Sequence, residues 1–133
     1  MKHIYLAGRL NKHEGAISEF SDELESRGHI VLEKWFLQGD LPKPYLDHPE
    51  TSSAAARAMI HAAMTSDVFI LTPADGLLGG AVELGAAIAS TATNESKQVY
   101  VIDQPEVRQS VFYAHPEVIA IKGLDQIRQM DWY

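Results

Sequence analysis

V-F-I-L-T-P-A-D-G-L-L-G-G-A-V-E-L-G-A-A, residues Val68 to Ala87, is the stretch whose reading decides the fold. Val68-Phe69-Ile70-Leu71 is an unbroken apolar run, which predicts a strand buried on both faces. From Gly80 to Ser90 small and apolar residues recur at helical spacing, which predicts a helix. The glycine pair at this junction, Gly79 and Gly80, lets another group approach the backbone closely. Glu83 then falls in the first turn of the predicted helix. Exposed N–H groups and the helix dipole there favour an ionised carboxylate and can also hold an anion.

The same alternation extends to both ends of the chain. His3–Ala7 is a short β-prone run closed by Gly8, and Ile30-Val31-Leu32 is a second such run. Between them, Glu14–Arg27 sets Ala16, Ile17, Phe20 and Leu24 at helical spacing, and Gly28 stops the helix. Residues 35–51 hold three prolines and a glycine, so a long loop is predicted there. Ser52 or Ser53 is the expected N-cap of an alanine-rich helix ending near Thr65. Asp67–Leu71, Gln98–Ile102 and Val118–Ile121 complete the strands, and Leu124–Met130 is a final helical turn or two. This order predicts one α/β domain over residues 1–133, a three-layer sandwich around a five-stranded parallel sheet, Rossmann-like or flavodoxin-like. Ligands in such sheets bind beyond the carboxyl ends of the strands, where the loops open at Gly8, Trp35, Thr72 and Asp103.

Composition narrows the chemistry. A net charge of −7 argues against a nucleic-acid polymer as partner, while leaving room for a single nucleotide held by local donors. With no cysteine there is no disulfide, thiolate zinc site or thiol nucleophile. The six histidines show no metal-ligand spacing, and neither G-x-G-x-x-G nor a Walker-A lysine occurs, so neither metal nor cofactor is expected. No G-x-S-x-G elbow supports a serine triad. The five-residue stretch Ile4–Gly8 before Arg9 is too short for a signal peptide or a membrane span, giving the expectation of a cytoplasmic protein without a membrane partner.

The pattern G-G-x-x-E-L-G-x-A after a D-x-x-x-L-T strand, with I-Y-L-A-G in the first strand, resembles the nucleoside 2-deoxyribosyltransferase family, which includes N-glycosidases of nucleoside 5′-monophosphates. The resemblance also takes in the strand Lys97–Ile102, and its most specific piece is the E-L-G-x-A helix. It implies that Glu83 is a nucleophile at the anomeric carbon and that Tyr5 orients its carboxylate. It implies further that the loop after Gly8 contributes phosphate-binding groups, here Arg9 and Asn11. A guanidinium suits bidentate phosphate contact. The ligand would be a small nucleoside or nucleotide, and the site would be shared between copies of a homo-oligomer. Trp35 and Phe36 are candidates to stack on a base, against a core role. Val111-Phe112-Tyr113 and Asp131-Trp132-Tyr133 are candidates to complete a neighbour's pocket, with a contact or core role equally open.

Chemistry supports this reading independently. Cleaving an N-glycosidic bond gives the sugar oxocarbenium character, which a nearby carboxylate stabilises or captures. The leaving base needs a proton. Family members carry an aspartate for this on the helix before the third strand, whereas Arg57–Met64 contains no acid. Asp75 is the best substitute, although Asp-Gly is also an ordinary turn pair. Asp67 lies at the strand's start and reads as structural, and Arg57 and His61, one turn apart, read as helix-surface residues. The alternative is a non-catalytic sensor of a nucleotide-derived ligand on the same fold. A phosphoribohydrolase with P-G-G-x-G-T-x-x-E matches poorly, since Ala81 and Val82 replace the G-T pair.

Overall fold

A computed structural model describes residues 1–8 and 14–133. Along the chain run β1 (His3–Gly8), α1 (Glu14–Ser26), β2 (Ile30–Val31), α2 (Pro49–Thr65), β3 (Val68–Thr72), α3 (Leu78–Ser90), β4 (Gln98–Ile102), β5 (Val118–Ile121) and α4 (Leu124–Ile127). All strand pairs are parallel, in the order β2-β1-β3-β4-β5. This is the flavodoxin-like α/β arrangement, whose strand order reverses between β1 and β3. Right-handed crossovers place α1 on one face of the sheet and α2 and α3 on the other, where those two helices pack against each other. On the first face α4 joins α1 through Arg128, which grips both carboxylate oxygens of Glu23 at 2.8 and 2.9 Å.

The apolar runs become the central strands because helices cover both of their faces. Ile4, Tyr5, Phe69, Ile70, Leu71, Val99 and Tyr100 are all at most 1% exposed, and Phe20 and Leu24 of α1 pack into the same core. β1 and β3 run in register from Ile4–Val68 to Gly8–Thr72. At the last pair they come very close. A Cβ on Gly8 would lie 2.8 Å from the Thr72 carbonyl oxygen, and Gly8 has φ 155°, a conformation that L side chains rarely adopt. Only glycine lets the two strands stay together to that edge.

Two helix starts differ from the sequence reading. α2 begins at Pro49, earlier than the serines, and no side chain caps it. Proline suits this first position because its missing N–H has no helical partner anyway. Ser52 instead donates its hydroxyl to the Tyr45 carbonyl at 2.8 Å. α3 begins at Leu78 rather than Gly80, so Gly79 and Gly80 lie within its first turn. The long loop carries two short 3-10 turns, Trp35–Leu37 and Tyr45–Asp47.

The amino edge of the sheet is closed by polar contacts. Asp67 accepts the His3 backbone N–H at 2.8 Å, in keeping with its expected structural role. Lys97, only 6% exposed, donates its ammonium to the Ala63 and Met64 carbonyls and the Ser66 hydroxyl at 2.6, 3.2 and 3.3 Å. These are end-of-helix carbonyls that α2 itself cannot satisfy. Lys97→Ala should therefore lower stability by about 2 kcal/mol, through orphaned carbonyls and lost packing; thermal or urea unfolding at neutral pH would check this.

Candidate active site

Tyr5 lies in the middle of β1, and strand alternation sends its side chain to the face carrying α2 and α3. Its ring meets that of Phe69, its register partner on β3, with centroids 5.9 Å apart. Glu83 reaches the same place from α3. It is the sixth residue of that helix, so it lies beyond the first turn where the sequence reading placed it. The carboxylate turns back along the helix: a Cβ on Gly79 would lie 3.9 Å from Glu83 Oε1. Gly79 thus borders the carboxylate. Gly80 faces inward instead, where a Cβ would come within 3.0 Å of Leu71 and closer still to Leu77. Its small size lets the helix start pack on β3.

The electrostatics follow from burial. The Glu83 carboxyl is pushed up to about 7, because desolvation outweighs the opposing help of the Tyr5 hydroxyl. The expected depression by the helix N-terminus is therefore not what governs this group. The Tyr5 phenol is held far above its usual range, first by burial and then by the negative charges of Glu83 and Glu33. It remains a neutral hydroxyl, a donor by chemistry. Although it faces Glu83 closely enough to stabilise that charge, it completes no hydrogen bond of good geometry and is a buried polar atom without a partner. Such an atom costs about 1–3 kcal/mol when nothing satisfies it.

The other sequence candidates distribute unevenly. Gly8 and Thr72 form the edge beneath the site. Asp75 is exposed, and its Oδ1 accepts the Arg108 backbone N–H at 2.9 Å, tying the loop after β3 to the loop after β4. Trp35 and Phe36 are core residues, 8% and 5% exposed and stacked edge-to-face at 5.6 Å. The indole Nε1 donates to the Leu6 carbonyl at 2.6 Å, which pins the loop after β2 onto β1 and leaves neither ring as an open stacking platform. Arg9 and Asn11 lie outside the described residues. Arg57 and His61 are exposed and line a shallow groove on the outer side of α2, with Glu50 and Ala54.

Trp132 and Tyr133 pack within their own chain. Trp132 meets the His29 ring edge-to-face, and Arg27 sits 3.9 Å over the Tyr133 ring while donating to its carbonyl at 3.0 Å. Val111 and Phe112 are exposed, at 79% and 63%. Among the described residues no group of three His, Asp or Glu side chains could hold a metal ion, and no helix is long and apolar enough to cross a membrane.

No protein-family model and no curated protein matches the sequence. Among solved structures, the fold is similar to that of the Clostridium botulinum CMP N-glycosidase BcmB, with a TM-score of 0.60 and 18% identity. The alignment covers 90% of this chain and 88% of that one. At this identity the likeness establishes a shared α/β architecture.

The Tyr5–Glu83 contact makes a direct expectation. In Tyr5→Phe the carboxyl loses the hydroxyl that stabilises its charge, so its midpoint should rise above that of the wild type. A carbon-detected NMR titration of the Glu83 carboxyl would show the shift, and an unchanged midpoint would mean that the hydroxyl does not act on it.

Proposed function

We propose that this protein cleaves the base–sugar bond of a nucleoside or nucleoside 5′-monophosphate, with Glu83 as nucleophile. One observation carries the reading: an unpartnered Tyr5 hydroxyl, 0% exposed, lies against a partly buried carboxylate where the strand order reverses. Such a crevice is where α/β sheets bind ligands. The likeness in fold to a CMP N-glycosidase supports the same chemistry.

In this mechanism the Glu83 carboxylate forms a bond to the anomeric carbon as the bond to the base nitrogen breaks. The electron pair leaves with the base, which takes up a proton. The resulting glycosyl ester is opened by water, giving free sugar and restoring the carboxylate, or by a second base, giving a new nucleoside. The buried hydroxyl of Tyr5 orients the carboxylate, and a midpoint near 7 leaves much of it ionised at neutral pH. Asp75 acts here as a positioning residue, through the bond that joins two loops at the mouth.

The same reading includes a homo-oligomer. Glu83 is the only charged residue of α3, and the helix leaves Leu78 and Val82 exposed at 81% and 62%. A helix apolar on all sides is ordinarily a covered one. On neighbouring α2, Glu50 and Arg57 carry opposite charges on one outer face, as a two-fold contact with a second copy would use. Sedimentation should then show a dimer or larger species, converted to monomer by Val82→Asp; a monomeric wild type would remove this part of the proposal.

A sensor that binds without turnover is the second reading, favoured by the lack of any acid in residues 57–64 of α2. To separate the two, nucleosides and their 5′-monophosphates are incubated with the protein, with and without an acceptor base. Released base is followed by chromatography. Cleavage should appear in the wild type, fall at least about 1,000-fold in Glu83→Ala, and rise with pH through about 7 as the carboxyl ionises. Tight binding with no release across the panel would leave the sensor.

A further inference from the structure

His29 joins two distant stretches of chain through the two nitrogens of one buried ring. Its Nδ1 accepts the Lys2 backbone N–H at 3.1 Å, and its Nε2 faces the Tyr133 carbonyl at 3.4 Å. The Trp132 ring meets it edge-to-face, with centroids 5.7 Å apart. The backbone around it is fixed as well. The His29 N–H donates to the Leu24 carbonyl at 3.1 Å, and the Ile30 N–H donates to the Lys2 carbonyl at 2.9 Å. One residue thus ties the end of α1, the start of the β1–β2 pair and the segment after α4.

This seat fits a single protonation state. A nitrogen that accepts an N–H must present a lone pair, so the ring is neutral, with its proton on Nε2 towards Tyr133. A second proton would go to Nδ1 and set two donors against each other across 3.1 Å. The peptide after Lys2 is held on both sides, its carbonyl by Ile30 and its N–H, that of His3, by Asp67. The ring contact therefore gives way before the strand pair does.

The charges around the ring act in the same direction. The Met1 amine and Lys2 come from the chain before β1, and Arg27 from the end of α1. The Glu23 carboxylate of α1 is taken up by Arg128 and the Tyr133 phenol, and Asp131 is exposed. β4 contributes the neutral Tyr100 phenol, which accepts the Trp132 indole N–H at 3.4 Å. Burial and the three cations together hold the imidazole below the ordinary histidine range.

We propose that His29 is a proton-operated latch, whose neutral ring joins Lys2 to Trp132 and whose protonation opens that contact while Tyr133 stays in place. Tyr133 keeps anchors of its own, the Arg27 guanidinium and the Glu23 carboxylate. Neither changes charge between about pH 5 and 8, since Arg128 holds Glu23 below its usual value. A histidine disfavoured in its charged form contributes stability above its ordinary range and loses it as pH falls through that range. The latch is therefore closed at neutral pH and open in acid, whatever the Tyr5–Glu83 site binds.

The test is an NMR titration of the full chain from about pH 8 to 5, following the His29 ring nitrogens, the Trp132 indole N–H and the Tyr133 amide. The ring should start as the Nε2–H tautomer and protonate with a midpoint below about 6.5. Across that midpoint the protection of the Trp132 indole N–H, relative to a free indole, should fall about tenfold, as for one lost hydrogen bond. The Tyr133 amide should keep its protection. In His29→Gln, whose amide can accept from Lys2 and donate to Tyr133 at every pH, the Trp132 response should vanish. Trp132 protection that survives His29 protonation, a midpoint at or above the ordinary value, or a response that persists in His29→Gln overturns the latch. Should that variant not fold, the wild-type titration decides alone, because each signal belongs to one residue.

Discussion

The close approach of β1 and β3 at Gly8 and Thr72 is the constraint on which the site depends. The strand order reverses between these two strands, so chain leaving β1 and chain leaving β3 turn to opposite faces of the sheet. Because Gly8 has no side chain, the sheet stays closed up to its last residue pair. Tyr5 sits beneath that edge and Glu83 descends onto it from the neighbouring helix. A wider gap would let water reach the hydroxyl and would remove the desolvation that sets the carboxyl's proton affinity.

Burial, rather than the helix terminus, controls that affinity. An N-terminal helix dipole would hold Glu83 ionised well into acid, and its effect fades within about one turn. Starting α3 at Leu78 moves Glu83 past that turn and into the space above Tyr5. The outcome is a carboxyl whose two protonation states lie close in free energy near neutrality. Such a group is more basic than an ordinary glutamate, which favours bond formation to an electrophilic carbon.

Much of the architecture is legible in the sequence because fully buried parallel strands must be continuous apolar runs. Val68–Leu71 and Val99–Ile102 have no other reading in a chain that alternates them with amphipathic helices. The pairing of Tyr5 with Glu83 was legible only through a resemblance, since their proximity depends on strand register and on where α3 begins. Helix starts were misplaced where Pro49 and Leu78 act without a side-chain cap. The sequence leaves Trp35 open to base stacking or a core role, and the choice is made by an indole that finds a backbone carbonyl 29 positions away. His29 carried no local mark at all: its ring partners, Lys2 and Tyr133, lie 27 and 104 positions away.

Lys97 has an implication that reaches beyond stability. Its ammonium, with Asp67 and His3 nearby, satisfies the amino edge of the sheet from within the chain's own framework. The opposite edge carries the exposed Asp75, the loop following Trp35 and the segment after β4, none of which shares these contacts. On the proposed function, fold maintenance and molecular recognition thereby fall at opposite ends of one sheet. A lineage built on this scaffold is free to rewrite the loops at the carboxyl edge by substitution or insertion while the same foundation is inherited unchanged.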